Sequence, residues 1–132
     1  MKTLGFLTAI GIAAGALVTA GAQVQLQPYS GSADYQAYCS ACHGPAAKGD
    51  GSIAKSLKKA PADLTQMAKR NNGVYPDEKV NKTIDGRQGS AHDADMPSWG
   101  EVFAKSSESA GPEKSAARID ALVKYLQTLQ AK

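Results

Sequence analysis

The apolar positions of the chain fall into three patterns. From Thr3 to Ala22 no residue is charged, and Leu, Ile, Val, Ala, Gly and Thr follow one another without a period. Tyr35, Tyr38, Cys39 and Cys42 stand at i, i+3, i+4 and i+7, which is one face of a helix. Ser30 or Ser32 caps that helix, Asp34 lies in its first turn where the dipole favours an acid, and Gly44-Pro45 stop it. Near the end, Gly111-Pro112-Glu113 signal a helix start, and Ile119, Leu122, Val123, Leu126 and Leu129 recur at helical spacing beside Tyr125.

Between these lie shorter predicted elements. Ile53 to Lys59 reads as a weak helix. Pro61 opens a helical stretch through Leu64, Met67 and Ala68, which Asn71-Asn72-Gly73 breaks. Pro76, Asp77 and Glu78 start a helix that runs to Ile84 and closes at Gly86. Val102 and Phe103 begin a short turn of helix. Segments 46–52, 87–100 and 106–111 read as irregular. No run alternates β-branched residues, so no sheet is expected. The fold class predicted is all-α, with about four to five short helices and long loops.

The first pattern reads as an export signal. Met1-Lys2 give a positive start, and Ala20-Gly21-Ala22 place small residues where a signal peptidase cuts. The expected division is a leader over residues 1–22 and a single domain over residues 23–132. A retained anchor is the alternative, since an uncharged run of about 20 residues can span a bilayer. The expected location is periplasmic, soluble after cleavage.

Composition sharpens the picture in one respect. Five Tyr, two Phe (one inside the leader) and one Trp are few aromatics for a core. Short helices and long loops give a domain of this size little apolar interior of its own. A buried apolar cofactor would supply what is lacking. Net charge says less: it is +3, and +2 without residues 1–22. Its distribution is uneven. Lys48, Lys55, Lys58, Lys59, Lys69 and Arg70 dominate one stretch, and acids dominate residues 77–101. Such asymmetry can orient a protein before it docks, although stretches of sequence need not be patches in space. Nothing points to nucleic acid.

The two cysteines carry the chemistry. Cys39-Ser40-Ala41-Cys42-His43 is the C-x-x-C-H pattern of covalent haem attachment. Two thiols three residues apart on one helical face reach the two vinyl groups of one porphyrin, and the next imidazole lies under the iron. The competing readings are a disulfide, a zinc site and a thioredoxin-like redox pair. Zinc would need further Cys or His ligands, and only His92 remains. A redox pair would need a parallel sheet.

The second axial ligand is read as Met96, followed by Pro97, which fixes the backbone just after it. It lies in an irregular segment that can swing a thioether over the ring. The alternatives are Met67, at helical spacing from Leu64, and His92. A His43/Met96 pair gives a relatively high potential and closes both axial positions. Arg87 is a candidate partner for a haem propionate, and Trp99 and Tyr75 are candidates for haem contact. Leu64 and Ile84 are expected pocket walls.

With these residues in place, the chain resembles the class I (monohaem) c-type cytochromes over nearly all of the mature region. Gly31, Tyr35 and Cys39, spaced four apart, are similar to the family's N-terminal helix. Leu122 and Tyr125 are similar to its C-terminal helix. The resemblance implies that these two helices cross, with glycine permitting close approach. Gly49-Asp50-Gly51, Pro61-Ala62-Asp63-Leu64 and Gly86-Arg87 resemble bacterial members. One departure stands out. Many members have a proline after a glycine in the proximal loop, and its carbonyl orients the haem histidine. Here Gly51 is followed by Ser52, and Pro61 comes later, which leaves open which carbonyl orients His43.

The resemblance implies an electron-transfer protein rather than an enzyme, with one covalent haem c and its iron. The expected partners are redox proteins: a dehydrogenase or membrane complex as donor, an oxidase or reductase as acceptor. Membrane contact is expected to be transient unless the leader is retained. A haem subunit permanently bound to a periplasmic dehydrogenase is the alternative, followed by a haem sensor or peroxidase-like enzyme.

Overall fold

In a computed structural model of the protein, residues 29–89, 95–106 and 111–131 are described. The leader expected over residues 1–22 and the alternative ligand His92 lie outside them. The described chain is helical and contains no strand, as the apolar periods predict.

The first helix is built in three pieces. α1 (Gly31–Asp34) passes into a π-helical stretch (Tyr35–Cys39), which passes into α2 (Ser40–His43). Ser30 caps α1 by accepting from the Ala33 N–H at 3.3 Å. The sequence predicts one regular α-helix here, and the wider turn has a local cause. The Ser40 hydroxyl donates to the Gln36 carbonyl at 2.7 Å, occupying the acceptor its own N–H would use in an α-helix. That N–H bonds to the Tyr35 carbonyl instead. The extra residue shifts the helix register between the residues facing α6 and the haem-motif cysteines.

Two 3-10 turns follow, Ala54–Ser56 and Leu64–Gln66, the second running into α3 (Met67–Arg70). The weak helix expected over 53–59 shrinks to the first of these turns. α4 (Asp77–Asp85) ends at Gly86 in the left-handed conformation, φ 69°, with its N–H on the Lys82 carbonyl. α5 (Trp99–Lys105) begins at Trp99, three residues before the expected turn. α6 (Pro112–Thr128) takes its proline at the start, as predicted. Among the described residues no helix is long and apolar enough to cross a membrane.

α6 is the scaffold, and α1, α4 and α5 all pack against it. Ile119, Leu122, Val123 and Leu126 form its buried stripe and meet Tyr35, Val80, Ile84 and Phe103. Each such side chain contributes about 1.5–3 kcal/mol on burial. The crossing with α1 is close. A Cβ on Gly31 would run into the Ala121 carbonyl and lie 2.9 Å from Tyr125 Cβ. The Tyr35 and Tyr125 rings meet beside it, centroids 5.6 Å apart.

One buried contact was not expected. Arg118 sits on the apolar face of α6, 3% exposed, and reaches Asp34 on α1. Its Nε and Nη2 donate to the two carboxylate oxygens at 2.8 and 2.7 Å. The same guanidinium lies 4.3 Å from the Phe103 ring centroid and 5.1 Å from that of Tyr38. Asp34, read from sequence as a dipole partner, is therefore half of a buried ion pair. The Asp34 carboxylate raises the Arg118 guanidinium above its usual range more than burial lowers it, and Tyr38 adds to the rise.

Removing one member leaves the other charged and dry. Arg118→Met is expected to destabilise the haem-loaded protein to urea by about 3–5 kcal/mol. Asp34→Leu/Arg118→Met should lie much closer to wild type, because no orphan charge remains. A single-variant loss below about 1 kcal/mol would show that the pair behaves as an exposed one.

Candidate functional site

The helices enclose a cleft of about 460 Å³. This lies within the range of about 300–1,000 Å³ that cofactor sites occupy. Tyr35, Cys39, Cys42 and His43 border it from the first helix, Val80 and Ile84 from α4, and Leu122 and Leu126 from α6. Met96, Pro97 and Trp99 border it from the segment that leads into α5. Leu57, Pro61, Ala62, Leu64 and Met67 border it from the loop region between.

The loop after α2 is tightly folded. Gly49 N–H bonds to the His43 carbonyl at 2.8 Å and Gly51 N–H to the Cys42 carbonyl at 3.1 Å. Gly51 admits no side chain, since a Cβ would run into the Ala41 and Cys42 carbonyls. Tyr35 donates its hydroxyl to the Gly44 carbonyl at 2.6 Å, tying the end of α2 to the core. Burial and the neighbouring Cys39 raise its phenol above the usual range.

A backbone carbonyl orients His43. Its Nδ1–H donates to the Ala62 carbonyl at 3.1 Å. The carbonyl belongs to the residue after Pro61, which local spacing did not single out. With Nδ1 so engaged, Nε2 is the nitrogen that would bind iron. The Ala62 segment is pinned on both sides. Leu64 N–H bonds to the Ala47 carbonyl at 2.7 Å. The Asp63 carboxylate accepts from the Thr65 N–H at 2.9 Å and the Thr65 hydroxyl at 2.6 Å. Arg70 donates to the Asp63 carbonyl at 2.7 Å. Gln130, beyond α6, donates to the Leu64 carbonyl and accepts from the Ala68 N–H.

The two cysteines are unbonded to each other. Burial, then the carboxylate of Asp34, then Cys42, push the Cys39 thiol up to about 12. Among the described residues no group of His, Cys, Asp and Glu forms a metal cluster.

The structure brings five of the six expected site residues together: Cys39, Cys42, His43, Met96 and Trp99 border one cleft. Trp99 also packs edge-on against Tyr38, centroids 5.6 Å apart, and beside Phe103 at 5.5 Å. Met67 borders the same cleft, so location alone does not separate it from Met96. Arg87 is not among the residues bordering the cleft. Its Nε and Nη2 are committed to Asp85, at 2.7 and 2.6 Å. The side-chain cations that border the cleft are Lys59, Arg70 and Lys79. Tyr75 is drawn to α6 instead, donating to the Val123 carbonyl at 3.0 Å.

This set of residues fits a haem. Two thiols and an imidazole with a fixed ring lie on one wall, apolar side chains make up most of the rest, and the Met96 thioether borders the cleft from the chain before α5. The family model described as Cytochrome c matches residues 30–130, and the chain belongs to that family. It is thus a haem-binding electron-transfer protein; membership implies covalently bound haem c, for which two cysteines, Cys39 and Cys42, are present, and the monohaem class I reading is consistent with the match. No curated protein and no solved structure gave a match.

The Asp63 cap gives a pH test. The Thr65 hydroxyl, against some desolvation, holds this carboxyl below its usual range. A depressed carboxyl contributes stability above its ordinary titration range, and that contribution is lost as pH falls through the lowered value. Asp63→Ala is therefore expected to unfold in less urea than wild type at neutral pH, with the gap closing in acid. A gap that is the same at neutral and strongly acid pH would contradict the assignment.

Proposed function

We propose that the chain is a periplasmic single-electron carrier with one haem c, held by Cys39 and Cys42 and ligated by His43 and Met96. The observation that carries this reading is that both candidate ligands and both thiols border one cleft. When bound, the haem supplies a ferric/ferrous couple, and methionine ligation sets it relatively high. His43 is held by the Ala62 carbonyl, which fixes its tautomer and raises its basicity. His43 and Met96 would hold the iron between them and leave no place on it for oxygen or peroxide, which favours transfer over catalysis.

The proposed leader over residues 1–22 directs export, and covalent attachment suits a compartment where lost haem is not replaced. Redox proteins donate and accept the electron: a dehydrogenase or membrane complex on one side, an oxidase or reductase on the other. Lys55, Lys58 and Lys59 are exposed beside Leu57 and Ala60, which border the cleft. Together with Lys48 they form the proposed docking surface for an acidic partner.

Two measurements test this. Met96→Ala is expected to abolish the far-red sulfur-to-iron band of the ferric protein and to lower its potential, while Met67→Ala leaves both unchanged. The reverse pattern would move the ligand to Met67. Electron exchange with an acidic redox partner is expected to slow as salt rises, and to lose much of that dependence in Lys58→Gln/Lys59→Gln. A wild-type rate indifferent to ionic strength would remove the docking role of these lysines.

A further inference from the structure

We propose that Asp85 and Arg87 form a latch that positions Met96, a role that rests on the ligation of Met96 proposed above. Met96 lies outside the helices, three residues before the start of α5. The structure closes the chain between α4 and α5 at its base. Gly86, which caps α4, lies against Ser98: a Cβ there would stand 2.7 Å from Ser98 Oγ and 2.9 Å from Ser98 Cα. Gly100, in the first turn of α5, lies against the latch itself. A Cβ on Gly100 would stand 2.6 Å from both Arg87 Nε and Asp85 Oδ1. The end of α4 and the start of α5 are thus in contact at two glycines, and Met96 is two residues from Ser98.

The latch is held by three hydrogen bonds to one carboxylate. Asp85 accepts from the Arg87 N–H at 3.1 Å, from Nε at 2.7 Å and from Nη2 at 2.6 Å. The two side chains are 20% and 32% exposed, so water screens the pair only in part. The Glu78–Lys82 pair of α4 is different: its side chains are 79% and 56% exposed, open to screening by water. A second tether lies next to the ligand. The Asp95 carboxylate accepts from the Lys58 N–H at 3.1 Å and ties the segment to the opposite side of the cleft.

The chemical need for a latch follows from the ligand. A thioether is neutral and a weak donor to ferric iron, so its occupancy depends on how closely the chain confines it. Closing the base of the loop raises the local concentration of the Met96 sulfur at the cleft. Asp85 and Arg87 act through Met96, as positioning residues that touch neither ligand sulfur nor iron.

The test uses the ferric haem-loaded protein and imidazole as the probe. Imidazole displaces the thioether, the far-red band disappears, and at saturating imidazole the rate reports the release of the Met96 sulfur. Asp85→Asn and Arg87→Gln are each expected to raise that limiting rate roughly tenfold and to lower the reduction potential, with the far-ultraviolet helix signal intact. Arg87→Lys should return part of the way, and Glu78→Gln should match wild type. Rates within about twofold of wild type in both latch variants, or an equal rise in Glu78→Gln, would overturn the latch alone. A wild-type protein without the far-red band would overturn Met96 ligation and the latch with it.

Discussion

The close crossing of α1 and α6 is the constraint on which the rest of the structure depends. Gly31 lies directly on the backbone of α6, at a distance no side chain would allow. Tyr35 and Tyr125 pack beside it, and Asp34 reaches Arg118 across the same junction. The crossing fixes where the haem-motif helix points. One π-helical turn later, Cys39, Cys42 and His43 border the cleft. A change in the crossing would therefore move the thiols and the imidazole together.

Around that rigid corner the cleft is completed by irregular chain. The proximal wall is a loop in which the Ala62 carbonyl holds His43 and several side chains hold Ala62 in turn. The distal wall is the segment carrying Met96, held where α4 meets α5 and at Asp95. Neither wall has a helix of its own at the critical atom. Both rely on hydrogen bonds to residues elsewhere in the chain, so the site is ordered by tertiary contacts more than by local propensity. The division suits a redox centre. Both thiols and the His43 imidazole lie on the first helix, whereas the Ala62 carbonyl that orients His43 and the Met96 thioether lie outside the helices.

Much of this was legible in the sequence. The C-x-x-C-H run, the apolar stripe of α6 and the Pro76 to Gly86 punctuation of α4 are local patterns, and the structure follows them. What was not legible is pairing at long range. Asp34 looked like a dipole partner because nothing nearby revealed Arg118, 84 residues away. A signal did exist: Arg118 interrupts the buried stripe beside Ile119 and Leu122, and a charge on such a face requires a partner. The Ala62 carbonyl was hidden because a backbone acceptor leaves no mark in residue type. Arg87 looked available for a propionate, yet Asp85, two residues before it, takes its guanidinium. The weak helix at 53–59 shortened to one 3-10 turn: Ile53 is exposed and Leu57 alone of its large apolar side chains borders the cleft, so it has no apolar face to bury.

The proposed function requires that this cleft hold one haem, bonded to both Cys39 and Cys42. Intact mass of the protein purified from an exporting host, with alkylation of any remaining thiol under denaturing conditions, tests it most directly. A single haem added to the chain, retained in acid–acetone, and no alkylated cysteine are expected. Haem that extracts freely, or a chain in which either cysteine alkylates in full, would contradict it.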